Sequence, residues 1–224
     1  MRTVRVIRWL LLVVFVCALA LYGSLFLYRW KSRAEADKFL GVVKTLKPDV
    51  TTTEQVYDAL APFERYCIER KSFAVIGPGG CDRYIVWNYP KWSGYIMRYL
   101  PFAPEKMYPA YTGFAFSPRF SEGRLASFNV GEGQSPIFGF TMHEFGAGTV
   151  VMGQHDPNAV NGYVENFSGY YVRAGINDLT VFVDARATAT QRADALALDL
   201  EWMTAFRAAT DPNQLLPRVI VPKD

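Results

Sequence analysis

The run from Trp9 to Tyr28, 20 residues without a charged side chain and fenced by Arg8 and Arg29, constrains this chain more than any other feature. At about 1.5 Å of helical rise per residue it makes a rod of about 30 Å, the hydrocarbon thickness of a bilayer. The run predicts a membrane-spanning helix, with Trp9, Tyr28 and Trp30 near its ends, where amphipathic rings favour the headgroup region. The lipid bilayer is therefore the first expected partner. A cleaved signal peptide is the alternative, because Ala18-Leu19-Ala20 has the small-x-small form of a processing site. Ser24-Leu25-Phe26-Leu27-Tyr28 nevertheless carries the apolar run to full spanning length and favours an uncleaved anchor. Cys17 follows Val14-Phe15-Val16, with no small residue before it, which argues against a lipid-modified cysteine.

Arginines at 2, 5 and 8 precede the span, and Arg29, Lys31, Arg33 and Lys38 follow it, so the positive-inside rule nearly ties. The short tail ahead of the span favours a cytoplasmic N-terminus and an exported body. Outside the span stand two cysteines, Cys67 and Cys81, an even pair able to form one disulfide in an oxidising compartment or to remain as two buried thiols. The formal net charge of +3 is accounted for by Arg2, Arg5 and Arg8, leaving the rest of the chain balanced. A balanced body has no basic field to release counterions from nucleic acid, so no nucleic-acid partner is expected. Residues 33–224 suffice for one well-buried core, and the predicted organisation is an anchor over residues 1–32 and a single extracytoplasmic α+β domain after it.

After the span, Arg33 to Leu46 reads as a helix on the spacing of Ala36, Leu40 and Val43, placed to continue the anchor as a stalk. Thr51 to Gln55 offers two capping boxes, Thr51 with Glu54 or Thr52 with Gln55, opening a helix that stops before Pro62. The stretch Leu46-Lys47-Pro48-Asp49-Val50-Thr51, then Val56, then Leu60-Ala61-Pro62, resembles the turn, threonine, helix and Leu-Gly-Pro pattern of SmpA/OmlA-type (BamE-like) bacterial envelope domains. Asp49 and Ala61 stand where that family usually has glycine, and the similarity spans residues 46–62. It implies an envelope scaffold or binding role without catalysis.

From Ser72 onward the period becomes two, with glycine and proline every eight to twelve residues, the pattern of an antiparallel sheet. Expected strands are Ser72 to Ile76, Arg83 to Tyr89, Tyr95 to Leu100, Gly113 to Ser117, Arg124 to Val130, Ile137 to Glu144, Thr149 to Gln154, Tyr170 to Ala174 and Leu179 to Ala187. Glu122-Gly123 marks the clearest hairpin, with Phe114 and Phe116 before it and Ala126, Phe128 and Val130 after it on apolar faces. Leu179, Val181, Val183 and Ala185 share a face of the last strand. Thr188 with Gln191 caps a final helix expected to reach Ala209, striped by Leu196, Leu200, Met203 and Phe206 and widened by Leu198 and Trp202. The predicted fold class is therefore α+β: an N-terminal transmembrane helix, then a mostly antiparallel sheet with flanking N-terminal and C-terminal helices.

Chemistry is sparse in this sequence. His143 and His155 each precede an acid, Glu144 and Asp156, but a hairpin turning at Gly146-Ala147-Gly148 would set them about 13 Å apart, too far to share a metal. No nucleophile elbow, zinc-binding helix or phosphate loop is present, and Gly77-Pro78-Gly79-Gly80 reads as a turn. No cofactor and no metal are expected. Asn166-Phe167-Ser168 fits a glycosylation sequon that acts only in a glycosylating host. Asp199 falls on the apolar face of the last helix, between Met203 and Phe206, where burial would raise its pKa unless it meets an arginine or tyrosine. Tyr84 to Phe120 is dense in aromatics, with Trp92, Phe102 and Tyr108 among Pro90, Pro101, Pro104 and Pro109. Those three aromatics are the predicted binding residues, in a surface for the membrane or an envelope protein partner; the plainer reading is a core of large side chains under a long loop. A membrane-anchored binding or scaffolding domain is the expected function. The alternative is a small-ligand-binding protein or hydrolase-like enzyme with a pocket between sheet and C-terminal helix, using Asp199, Glu144 or His143.

Overall fold

One helix, α1, runs without a break from Arg2 to Val43 in the computed structural model, which describes residues 2–69, 80–90, 112–134, 149–150, 170–175 and 178–204. It is the one helix among the described residues long and apolar enough to cross a membrane, and none of the residues in its most apolar window is buried. Below the apolar run the same helix changes character. Ala36, Phe39, Leu40 and Val43 recur at helical spacing and are buried in the core, so this part is a structural element of the domain and not a free stalk.

Of the two capping boxes the sequence offers, Thr52 with Gln55 forms: the Gln55 N–H donates to Thr52 Oγ1 at 3.2 Å and the Thr52 N–H to Gln55 Oε1 at 3.0 Å. This opens α2 over Thr53–Leu60, and a 3-10 turn over Ala61–Tyr66 follows, where Pro62 halts the α-helix. Asp49, ahead of it, has φ 60, the left-handed region open to Asp and Asn and easiest for glycine.

Seven described strands form one antiparallel sheet: β1 Cys67–Glu69, β2 Arg83–Trp87, β3 Thr112–Ser121, β4 Arg124–Gln134, β5 Thr149–Val150, β6 Tyr170–Gly175 and β7 Asp178–Asp184. Their order across the sheet is β1-β2-β3-β4-β7-β6-β5. β1 has no strong sequence pattern and was not expected; it pairs Cys67 with Tyr84 on β2. The β3–β4 hairpin turns on Glu122 and Gly123, with φ 51 and 74, the pair of positive angles that suits the twist of a two-residue hairpin. A bulge beside Arg119 and Phe120 sets Leu125 in the core with Phe128 and Val130 and leaves Ala126 half-buried, so Ala126 does not share their face as period two alone suggests. Gly113 is required by close approach, since a Cβ there would lie 2.6 Å from Ile85 Cγ2 and 2.8 Å from Trp87 Cε3. β7 stops at Asp184, short of the expected Ala187, because the Asp184 carboxylate accepts the Arg186 N–H at 2.8 Å and turns the chain.

The last helix, α3, spans Ala189–Ala195 behind the Thr188 and Gln191 capping box. The sequence predicts continuation to Ala209, and the structure corrects this. After Leu196 the chain is irregular until a second 3-10 turn at Glu201–Met203, where Asp199 Oδ1 accepts the Glu201 N–H at 2.9 Å. A short aspartate at that point gives the backbone a local partner that competes with the helical one. Leu196, Leu200 and Met203 are still buried with α1 on the sheet, although a continuous helix does not carry them. Phe39 lies at the centre of this layer, stacked on Phe63 at 4.6 Å and edge-on to Tyr84, Phe114 and Phe116 at 5.5 to 5.7 Å.

Candidate functional site

Contacts along α1 give the domain two ends. Tyr84 on β2 lies level with Phe39, whereas Asn88, just past β2, donates from Nδ2 to the Met203 carbonyl at 3.4 Å. Next to Met203, Glu201 is paired with Arg33 at 3.7 Å. From Tyr84 to Asn88 the chain thus travels back along α1 toward the apolar run. At the opposite end, the Asp49 N–H donates to the Leu125 carbonyl at 2.7 Å and the Leu125 N–H to the Thr51 carbonyl at 2.9 Å, fixing the β3–β4 turn beside the far end of α1.

The end nearest the apolar run carries most of the buried polar side chains among the described residues: Arg29 at 2 % exposure, Ser32 at 6 % and Asn88 at 0 %. Arg29, Ser32, Ala36, Phe39 and Val43 lie at spacings of three and four, so the stripe that faces the core extends upward to the last turn before the apolar span. Full burial therefore begins at Arg29, inside the stretch that composition assigns to the anchor, with Leu25 half-buried one turn earlier. Arg29 reads in the sequence as a flanking positive charge; extending the stripe of Ala36 and Phe39 back by seven and ten residues is the signal that would have marked it.

β2 ends and β3 begins at this same end. The segment 91–111 leaves after Pro90 and returns at Thr112, so its two described flanks stand at the end of the domain nearest the apolar run. Trp92, Phe102 and Tyr108 lie outside the described residues, as do His143, Glu144, His155, Asn166, and the strands expected at 72–76, 95–100 and 137–144. Among the described residues no group of three or more His, Cys, Asp or Glu is placed to hold a metal. Asp199 does not face the sheet from a helix; it caps its own turn.

A second polar node ties α1 to the edge of the sheet. Glu35 accepts hydrogen bonds from Arg65 and from Lys38, the latter at 3.3 Å, and Tyr66 Oη lies 3.4 Å from its carboxylate. Arg65 also lies over the Tyr66 ring, 4.8 Å from its centroid. Burial pushes the Glu35 carboxyl up, but the hydrogen bonds and charges of Lys38 and Arg65 outweigh it and hold the group below the usual carboxylate range. Next to this node Cys67 and Cys81 form a disulfide with Cα atoms 5.9 Å apart. Tyr57, packed on Phe120 at 5.4 Å, has its phenol pushed up to about 12 by burial and by the Asp82 charge. These groups brace one another, and no nucleophile and base pair emerges from them.

In comparisons with known proteins, the chain matches no family model, no curated protein and no solved structure.

Proposed function

We propose that this protein is a single-pass, membrane-mounted binding or scaffolding domain of a cell envelope, with its body outside the cytoplasm. One observation carries the reading: α1 passes from an apolar rod whose most apolar window has no buried residue into the core of the domain without interruption, with full burial starting at Arg29. A body built on its own anchor stands directly against the bilayer at a fixed tilt, which suits a role in holding or presenting a surface. The disulfide supports an oxidising compartment, hence export. Residues 46–62 support the envelope resemblance: the turn, the capped α2 and the stop at Pro62 are present, and Asp49 takes the conformation glycine would take.

The working surface in this reading is the aromatic and proline-rich stretch from Tyr89 to Tyr111, including Trp92, Phe102 and Tyr108. Its support is that both described flanks lie at the membrane end of the sheet, where amphipathic rings have headgroups or a neighbouring envelope protein within reach. The double change Trp92→Ala with Phe102→Ala in the full chain should leave the melting temperature nearly unchanged. A photo-crosslinking residue at Phe102 in native membranes should join to lipid or to a second protein. A loss of several kcal/mol in the double variant would make these residues core and end the contact-surface reading. For topology, a reporter fused after Asp224 that is active only in the cytoplasm should stay silent.

A further inference from the structure

At the end of the domain away from the apolar span, a groove of about 350 Å³ lies between Lys44, just past the end of α1, and α3, where Ala189, Arg192, Ala193, Leu196 and Ala197 line it. From these residues we infer that the groove binds an acidic peptide segment of a partner protein. Among the described residues its walls carry two cations and no acid. Among the described residues Lys44 and Arg192 make no ion pair, in contrast to Arg33, Lys38, Arg65 and Arg186, each of which meets a carboxylate. Asp194, two residues from Arg192, projects about 200° away around the helix and does not neutralise it.

Between the cations the lining is made of methyl groups, with Ala189 and Ala193 exposed and Leu196 closing the floor. Small side chains let a peptide backbone lie close, and a charge on each wall sets a pair of carboxylates to either side of it. Position decides against a membrane lipid as the occupant. Lys44 lies 16 residues beyond Tyr28 on a helix continuous almost to that point, so about 24 Å of rise separates the groove from the end of the apolar run. A headgroup in the same bilayer does not reach that far, whereas a soluble or envelope partner does. The groove stands independently of the role assigned to residues 89–111.

The test uses the full chain in lipid nanodiscs and a fluorescent peptide, acetyl-Glu-Ala-Leu-Glu-amide, followed by anisotropy. Saturable binding that weakens with added salt and falls at least tenfold in the Lys44→Ala, Arg192→Ala double variant is the expected result. Both side chains reach solvent, so this variant should keep its melting temperature; Lys31→Ala, near the membrane end, should bind as the parent does. Reversal to Lys44→Glu with Arg192→Glu should transfer preference to the matching lysine peptide. The inference is overturned by absence of saturable binding, by binding that the double variant keeps, or by inorganic phosphate competing as well per charge as the peptide, which would show a plain anion site.

Discussion

The two halves of α1 obey different rules although the backbone does not change between them. From Val4 to Leu27 large apolar side chains are exposed on every side of the helix, Phe15 at 62 % among them, and there is no polar face. From Arg29 to Val43 a single stripe is buried while Lys31, Asp37 and Lys38 project to water. A helix apolar all round needs a solvent other than water, since each fully exposed Leu or Phe forgoes about 1.5 to 3 kcal/mol of burial. A striped helix belongs to a globular layer. The contrast shows that one unbroken helix joins a rod that is apolar on every side to the core of the domain, with Arg29 at the seam.

The largest effect that sharpens this contrast is at Phe39. Phe39→Ala should cost about 3 to 5 kcal/mol in chemical unfolding of the domain, because four aromatic partners close around that ring. Phe15→Ala, on the same helix, should leave domain unfolding unchanged in micelles. Equal losses at the two positions would break the comparison. Next in size is the disulfide: Cys67→Ser with Cys81→Ser opens a loop with a sequence separation of 14 and should lower stability by about 3 kcal/mol, read as a shift in denaturation midpoint.

Smaller again is the cap of α2, where Thr52→Ala removes the Oγ1 acceptor of the Gln55 N–H and should cost about 1 kcal/mol by thermal melting. The least effect comes from the acid that joins α1 to the sheet edge. Because the folded Glu35 carboxyl titrates below its unfolded value, its contribution is complete above the usual carboxylate range and fades as pH falls through the lowered folded value. Glu35→Gln should therefore flatten the acid side of the stability profile while leaving a residual difference near neutrality, measured by melting between about pH 3 and pH 7.

Much of the fold was legible because local rules dominate where they are strong. The long apolar helix, the capping boxes at Thr52 and Thr188, the Glu122-Gly123 turn and the strand that starts at Arg83 all rest on short-range chemistry, and the structure bears them out. The misses share a cause. The helix beyond Ala195 had the right apolar spacing, but the Asp199 carboxylate took a backbone N–H and broke it. The bulge near Arg119 shifted Leu125 into a position that alternation gives to Ala126, since a single extra residue inverts a face. β1 was invisible because three residues, Cys67 to Glu69, carry no period, and a tertiary pairing holds them. At the end nearest the apolar run, Arg29 and Asn88 are buried by the fold and look like ordinary surface polar residues in sequence.

The central claim is that α1 continues unbroken from the bilayer into the core, and nitroxide scanning of the full chain in lipid nanodiscs tests it most directly. With Cys17→Ser as background, single cysteines from Leu27 to Leu40 would carry the label, and its mobility and accessibility to polar relaxant would be read at each position. The account predicts one helical period throughout, with immobile, shielded labels at 29, 32, 36, 39 and 40 and accessible ones at 30, 31, 37 and 38. Uniformly mobile labels across 28 to 33 would reveal a flexible joint between anchor and domain and would contradict the account.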